Sequence, residues 1–170
     1  NVETDVVYLS GAYAKQGESL GLFEKIDTNV VTSLSDLYDF AQNDTGYGPM
    51  VCVGRFGIMY NEDVLNEKGL EPPTSYMDLF DDKYAGLVAL PAMTATAGPY
   101  VFSAIAEDLG GDLTNYQAAL DLYAEKKDNI GMWYTSDLVP ALTNKEVASS
   151  VYMDLMLPVL NASGLNMKWV

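Results

Sequence analysis

The sequence predicts a layered α/β fold, and three observations lead to this prediction. Short apolar runs rich in β-branched and aromatic residues alternate with segments whose apolar residues recur at helical spacing. Gly and Pro residues stand at many of the boundaries between these segments. The chain has 170 residues, of which 49% are hydrophobic, so it is long enough to bury a substantial core. Strands that alternate with helices indicate a sheet covered by helices.

The sequence pattern of the N-terminal part predicts one strand, two helices and a loop. A buried strand is expected over 5–9, and a turn at Ser10 leads from it into a helix over about 13–20. Apolar residues along 32–41 have the spacing of a short amphipathic helix. The segment 43–49 is polar and rich in Gly, which predicts a loop.

The middle of the chain contains an ordered succession of elements. A β-rich run over 50–61 leads directly into a short helix that ends at Gly69. Pro72 and Pro73 then prevent the helix from continuing, a capped helical turn follows, and a second apolar strand ends at Pro91.

Beyond Pro91 the sequence pattern predicts four helices and three strands in a mostly alternating order. In chain order these are a helix over 101–109, a helix from Asp112 or Thr114 to about Lys126, a strand over 131–134, a helix from Ser136 or Asp137 to Leu142, a strand over 147–152, a helix over 155–160 and a strand over 167–170.

The composition argues against several classes of function. With 24 acidic and nine basic residues the formal net charge is −15, and no cluster of basic residues is present to bind nucleic acid. The acidity is typical of a solubilising surface, and the alternative is that it attracts a cationic solute such as a polyamine. The chain has no His, which excludes Ser-His and Cys-His nucleophilic sites and His-containing zinc sites. We therefore expect no catalytic residue, no metal site and no cofactor.

Cys52 is the single cysteine of the sequence, so no intrachain disulfide is possible. Its place in the apolar run over 50–61 predicts a small buried thiol within a strand.

The succession of elements from Gly54 to Pro91 resembles the type II solute-binding proteins of ABC importers, in particular their polyamine, iron(III) and thiamine group. The resemblance implies a type II periplasmic-binding-protein-like fold, with a mixed sheet flanked by helices. It assigns residues 1–49 to the end of a lobe-1 segment, 50–60 to a strand that crosses between the lobes, and 61–170 to lobe 2. It also implies that the chain is an internal fragment of such a protein, mainly lobe 2 with part of lobe 1.

The resemblance further implies a function without covalent chemistry. A protein of this kind captures a small polar solute in the cleft between its lobes, closes by a hinge motion and presents the solute to an ABC permease at the membrane. It works outside the cytoplasm, in the periplasm or as a lipoprotein at the cell surface. No nucleic-acid partner, no stable homo-oligomer of the intact protein and no enzymatic activity are expected.

Ligands in open α/β folds bind at the carboxyl ends of strands, where loops lead into helices. The loop after the strand at 5–9 resembles a family loop in which a Ser and an aromatic residue meet the ligand, and Ser10 and Tyr13 stand at those positions. Ser10 is able to donate or accept a hydrogen bond and Tyr13 offers a ring face. The alternative is a helix cap followed by a core tyrosine.

The loop between Pro91 and Tyr100 is the second candidate. Thr94, Thr96 and Gly98 precede or begin the helix that follows, and free backbone N–H groups at a helix start are able to hold an anion. The same residues are also common in a plain helix cap.

The third candidate set lies at the ends of the next two strands. Tyr134 and Ser136 lie two positions apart at the end of the first strand. Tyr152 and Asp154 lie two positions apart at the end of the second. The second pair resembles a family segment in which an aromatic residue often meets the ligand. Asp154 is suited to pair with a cation or to cap the following helix.

Arg55 lies on the predicted crossing strand, where an arginine is able to hold an anion through two parallel hydrogen bonds. The alternative, which the excess of acidic residues favours, is an exposed or ion-paired arginine without a ligand.

The solute class stays open at this point. A polyamine leads by overall resemblance, although no acidic residue lies between Lys83 and Glu107 to meet its ammonium groups. The Thr94–Gly98 loop by itself favours an anion, such as a phosphonate or a thiamine phosphate ester, and no adjacent tyrosine pair supports iron(III). Two other classes are an enzyme with the same two-lobed fold, for which no convincing catalytic group is present, and a ligand-sensing domain of a regulator.

Overall fold

The computed structural model describes residues 4–170, and the part of the chain that it describes forms two compact units. The first unit ends at Val53, and the second runs from Gly54 to Val170. The predicted lobe boundaries at 49/50 and 60/61 lie close to this division, and the assignment to lobes stays a prediction.

The first unit contains one α-helix, α1, over Gly11–Ser19, and two 3₁₀ turns over Thr32–Asp36 and Asp39–Ala41 within the described residues. Helix α1 confirms the predicted helix over about 13–20. It ends in front of Gly21, whose φ of +66° is a left-handed conformation that favours glycine. The predicted loop over 43–49 is also present.

Three predictions for the first unit are wrong. Residues 5–9 are exposed and form no strand, because no neighbouring strand is available to pair with them among the described residues of the first unit. The predicted helix over 32–41 is replaced by the two 3₁₀ turns, since Leu37 between them has extended backbone. Cys52 is exposed, not buried, because the residues around it lie outside any strand.

The second unit is built around one five-stranded mixed sheet within the described residues, with the spatial order β3-β2-β4-β1-β5. Strands β2, β3 and β4 are parallel to one another, and β1 is antiparallel to both β4 and β5. The strands are β1 Phe56–Asn61, β2 Val88–Pro91, β3 Met132–Tyr134, β4 Ser149–Met153 and β5 Met167–Trp169.

Helices cover both faces of this sheet. They are α2 Glu62–Glu67, α3 Gly98–Asp108, α4 Gln117–Lys126, α5 Leu138–Thr143 and α6 Leu157–Ala162. One buried cluster joins α2, α3 and α4 to one face, and a second joins α5 and α6 to the other. The alternation of side chains along a strand explains this division, since Val88 and Leu90 belong to the first cluster and Ala89, between them, belongs to the second.

The order of elements predicted for the second unit is confirmed, while several boundaries differ. The predicted strand over 50–61 begins only at Phe56, because in the described structure the pairing with β4 extends no further than Arg55 and residues 50–54 have no neighbouring strand. Helix α3 begins at Gly98, three residues before its predicted start, with Pro99 in its first turn. Helix α6 tolerates Pro158 for the same reason, since the proline stands in its first turn.

The strand directions bring the ends of several strands to one edge of the sheet, which we call the carboxyl edge. Strands β2, β3 and β4 end there, and the antiparallel β1 begins there, with Phe56 opposite Met153. The loops that follow the parallel strands therefore start at the same edge as the segment that enters β1.

Candidate functional site

Seven of the residues predicted from the sequence belong to the carboxyl edge of the second unit. They reach this edge from different parts of the chain, since the sheet pairs strands that are distant in sequence. The seven are Arg55 before β1, Thr94 and Thr96 after β2, Tyr134 and Ser136 at the end of β3, and Tyr152 and Asp154 at the end of β4.

Arg55 and Asp154 form the best-defined contact of the site. The Arg55 backbone N–H donates to Asp154 Oδ1 at 3.1 Å, and Arg55 Nε donates to Asp154 Oδ2 at 3.0 Å. The Asp154 N–H in turn donates to the Arg55 carbonyl at 3.0 Å, which continues the β1–β4 pairing by one residue. These hydrogen bonds, with that from the Arg55 backbone as the largest cause, lower the pKa of the Asp154 carboxyl.

A third residue, Trp169 of β5, supports the Arg55 side chain. The guanidinium carbon lies 4.8 Å from the centroid of the Trp169 ring, within the range of a cation–π interaction. Gly57 makes room for this ring, because a Cβ atom at position 57 would overlap Trp169 and the Val170 carbonyl. The glycine therefore allows the tryptophan to lie against β1 beside the arginine.

The two predicted tyrosines occupy different environments. Tyr134 is buried and its hydroxyl donates to the Val151 carbonyl at 2.6 Å, which makes it a core residue. Tyr152 is half-buried and lies edge-on to Tyr134, with 6.1 Å between the ring centroids. Burial raises the pKa of both hydroxyls, so both stay protonated at neutral pH. Within residues 4–170 the Tyr152 hydroxyl makes no hydrogen bond, which leaves it available to a solute.

The loop between β2 and α3 exposes the side chains of Thr94 and Thr96. In the part of the chain that the structure describes, neither threonine hydroxyl makes a hydrogen bond, and neither backbone N–H does. Gly98 differs, because it is buried and its N–H donates to the Ala95 carbonyl at 3.0 Å. A Cβ atom at position 98 would overlap the Ala92 carbonyl, so this glycine serves the close packing of the loop and its N–H is not free for a solute.

Ser136 is exposed in the short connection between β3 and α5. The neighbouring Asp137 stands at the N-cap of α5, and its carboxylate accepts a 3.4 Å hydrogen bond from the Thr135 N–H. Ser136 therefore contributes an exposed hydroxyl at the carboxyl edge and no capping interaction within the described residues.

Ser10 and Tyr13 belong to the first unit. Ser10 stands at the N-cap of α1, but its side chain makes no capping hydrogen bond among the described residues. The Tyr13 side chain is 55% exposed, so it is not a core tyrosine. Their predicted contact with a solute stays a prediction.

Sequence reasoning missed Trp169 as a site residue. It assigned Trp169 to the last strand, and the contact with Arg55 arises only because β5 pairs with β1 in a register that places Trp169 opposite Met59. The alternation of side chains along β1 was the one available signal, since Arg55, Gly57 and Met59 share a face.

Two cavities lie apart from the predicted site residues. One, of about 430 Å³, is in the first unit and is lined by residues between Ile26 and Pro49. The other, of about 280 Å³, is in the second unit and is lined by Ile58, Thr74, Ser75, Tyr76, Asp108 and Val170.

Among residues 4–170 no helix is long and apolar enough to span a membrane. In the same residues no three His, Cys, Asp or Glu side chains are grouped so that they would hold a metal ion.

The sequence profile of the family described as "Bacterial extracellular solute-binding protein" matches residues 1–160. The chain therefore belongs to the family of bacterial extracellular solute-binding proteins. No match was found among the curated proteins.

Solved structures of similar fold agree with this membership. A structure described as an ABC transporter from Clostridium perfringens ATCC 13124 is 26% identical to this chain, with a TM-score of 0.72. The match includes 100% of this chain and 55% of that structure's chain. The spermidine/putrescine ABC transporter substrate-binding protein PotD from Streptococcus pneumoniae is 16% identical with a TM-score of 0.64. The periplasmic binding protein AfuA from Actinobacillus pleuropneumoniae, with fructose-6-phosphate bound, is 19% identical with a TM-score of 0.66. For these last two, 91% of this chain covers 49% of PotD and 48% of AfuA.

This chain thus spans about half the length of the structures that it matches. The predicted α/β fold of the type II periplasmic binding proteins, with a mixed sheet flanked by helices, is confirmed. The prediction of a binding protein, not an enzyme, is confirmed at the level of the family, which is one of extracellular proteins.

Proposed function

We propose that this protein is the solute-binding component of an ABC importer and that the carboxyl edge of its second unit forms part of the solute site. The observation that supports this proposal most directly is the convergence of seven predicted residues at one edge of one sheet. Exposed hydroxyls of Thr94, Thr96 and Ser136 and the half-buried Tyr152 stand there without structural partners in the described chain. Such groups fix the orientation of a small polar ligand.

The partners and location follow from the same proposal. A solute-binding component delivers its solute to a membrane permease. It works outside the cytoplasm, in the periplasm or as a lipoprotein at the cell surface. The family and the 26% identical ABC transporter structure support this reading. A polyamine remains a candidate solute through the resemblance to proteins of the PotD type.

A screen of solutes by thermal unfolding tests the proposal. The panel contains putrescine, spermidine, thiamine, thiamine phosphate, aminoethylphosphonate, inorganic phosphate, fructose 6-phosphate and iron(III) citrate. A solute that binds the folded protein raises the melting temperature by several degrees and does so increasingly with concentration. We expect such a shift with one chemical class of the panel.

A matched pair of variants places the effect at the carboxyl edge. Thr96→Ala removes an exposed hydroxyl there, and Thr143→Ala removes an exposed hydroxyl at the end of α5, at the opposite edge. Thr96→Ala should reduce the solute-induced shift while Thr143→Ala leaves it unchanged. Equal shifts in both variants and the unmodified protein would place the solute elsewhere, and no shift with any solute would count against the proposal.

A further inference from the structure

Arg55 is the single arginine of a sequence whose other eight basic residues are lysines. Within residues 4–170, four of those lysines form surface ion pairs, such as Lys145 with Glu67 at 3.3 Å. Arginine differs from lysine in its planar guanidinium, which carries five N–H donors in a fixed arrangement. The chain thus has one side chain that is able to bind a planar oxyanion through two parallel hydrogen bonds, and that residue lies at the carboxyl edge.

The Arg55 side chain is held on two sides. Its Nε donates to Asp154, and its guanidinium carbon lies over the Trp169 ring. Its backbone is held as well, because Asp154 Oδ1 accepts from the Arg55 N–H. A side chain that is already ordered loses less conformational entropy when it binds a ligand, so these contacts prepare the guanidinium for recognition.

The outer part of the guanidinium remains available. Arg55 hydrogen-bonds through Nε alone within the described residues, so the four N–H groups on its two terminal nitrogens have no acceptor there. The side chain is 72% exposed, which leaves these groups accessible. Asp154 thus occupies one of the donors and leaves free the pair of nitrogens that suits a phosphate or a carboxylate.

Other predicted residues at the carboxyl edge also offer hydrogen-bond donors. Thr94 and Thr96 present free hydroxyls and N–H groups within the described chain, and the segment between Lys83 and Glu107 contains no acidic residue. Asp154 has both carboxylate oxygens occupied by Arg55, and the Asp137 carboxylate accepts from the Thr135 N–H. Asp154, the residue that the sequence suggested for a cation, is thus already engaged by Arg55.

We propose that Arg55, positioned by Asp154 and Trp169, binds an oxyanion group of the solute and selects anionic over cationic solutes. The group is a phosphate or a carboxylate, and the contact is made by the two terminal nitrogens of the guanidinium. This inference rests on the proposed function, and it names the solute class of the same site.

Intrinsic fluorescence gives a local test, because the protein has only two tryptophans and one of them contacts Arg55. In a Trp133→Phe background, Trp169 is the remaining tryptophan. Titration with fructose 6-phosphate, inorganic phosphate and succinate should change its emission in a saturable way for at least one oxyanion. Fructose and spermidine serve as the neutral and the cationic probes, and we expect neither to saturate.

Three variants in the same background separate the contributions. Arg55→Lys keeps the charge but removes the bidentate donor pair, so it should weaken oxyanion binding by at least about tenfold. Asp154→Asn leaves one acceptor oxygen in place of the two that hold Arg55, so it loosens the guanidinium and should weaken oxyanion binding less than Arg55→Lys does. Lys145→Gln removes one positive charge at the opposite edge and should leave oxyanion binding unchanged. Circular dichroism and the melting temperature confirm that each variant is folded.

The outcomes distinguish failure of this inference from failure of the proposed function. Saturable binding of an oxyanion that Arg55→Lys weakens and Lys145→Gln does not supports the inference. Binding of spermidine in place of any oxyanion, or oxyanion binding that Arg55→Lys leaves intact, overturns it while the solute-binding function stands. If no probe of this set and none of the solutes in the thermal screen binds, both proposals fail.

Discussion

The two units of the chain contain similarly apolar sequences but bury them very differently. In the second unit, apolar residues of the sheet such as Val88, Ala89 and Leu90 are fully buried between helices on both faces. In the described part of the first unit, large apolar residues are exposed, including Val6 at 87% and Leu22 at 69%. The difference shows that an apolar run becomes a core element only when a second layer is available to cover it.

Backbone pairing separates the units in the same way. Each strand of the second unit has at least one neighbour that satisfies its N–H and C=O groups, and Ser149 of β4 pairs with both β1 and β2. The run over 5–9 has residue types typical of a strand but no such neighbour within the described residues. Strand propensity therefore predicts a strand only where pairing is also possible.

The largest effect on stability is expected when the same substitution is made in both units, and the two results sharpen this comparison. Leu90→Ala removes a fully buried side chain from β2 and should lower the free energy of unfolding by about 2–5 kcal/mol. Leu22→Ala removes a side chain that is 69% exposed and should change it by less than about 0.5 kcal/mol. Urea denaturation followed by far-UV circular dichroism measures both values.

Tryptophan fluorescence adds a probe of the second unit in that experiment, because Trp133 and Trp169 both lie there. A loss of several kcal/mol in the Leu22→Ala variant would mean that this side chain is covered in solution, and the contrast between the units would then not hold.

The fold of the second unit was predictable because its signals are local and mutually consistent. Strand β2 is a short apolar run that ends at Pro91, and α2 begins at a capping Asn61 and ends before Gly69, so each boundary has its own residue. The start of β1 was not predictable, because residues 50–55 have the composition of a strand. In the described structure the pairing with β4 stops at Arg55, and residues 50–54 have no neighbouring strand that would extend β1 towards the N-terminus.

The candidate site was predictable residue by residue but not as an arrangement. Loops at strand ends identified Thr94, Tyr152 and Asp154 without knowledge of the strand order. The ion pair between Arg55 and Asp154 joins residues 99 positions apart, and it depends on the antiparallel pairing of β1 with β4. Trp169 escaped notice for the same reason, since its contact with Arg55 depends on the pairing of β5 with β1.

A smaller effect is expected at the starts of α2 and α1, which both carry a capping residue type. The buried Asn61 side chain accepts hydrogen bonds from the N–H groups of Asp63 and Val64, at 3.1 and 3.2 Å. Asn61→Ala leaves these groups unpaired and should cost about 1–2 kcal/mol of unfolding free energy. Ser10→Ala should cost little, because the Ser10 side chain makes no capping bond in the described structure.

The same pair of variants also tests the predicted role of Ser10. If Ser10→Ala leaves stability unchanged but weakens binding of the solute found in the thermal screen, then the serine contacts the solute. A stability loss as large as that of Asn61→Ala would instead reveal a capping bond in solution and would remove this difference between the units.

Protonation of a single carboxylate at low pH is expected to have the smallest effect on stability. The four carboxylates concerned all lie in the second unit. Hydrogen bonds lower the pKa of Asp78, Asp82, Asp112 and Asp154 below the ordinary value of about 3.9. A carboxyl group whose pKa is lower in the folded state stabilises that state above its ordinary pKa and loses this contribution as the pH falls through the lowered value. The melting temperature should therefore stay nearly constant between about pH 5 and 8 and fall below about pH 4.

Asp112→Asn isolates one of these contributions. The Asp112 carboxylate accepts from the N–H and hydroxyl of Thr114 and from the Asn115 N–H, and an asparagine oxygen is able to accept the same bonds without a titrating charge. The variant lacks the contribution of the charged carboxylate, so it should melt slightly below the unmodified protein at neutral pH, and the two melting temperatures should converge on acidification. Parallel curves for the two proteins down to about pH 3 would show that Asp112 does not contribute, and the acid sensitivity would then belong to other carboxylates. Because the carboxylate is exposed, solvent screening keeps the difference small, and differential scanning calorimetry at closely spaced pH values is the suitable measurement.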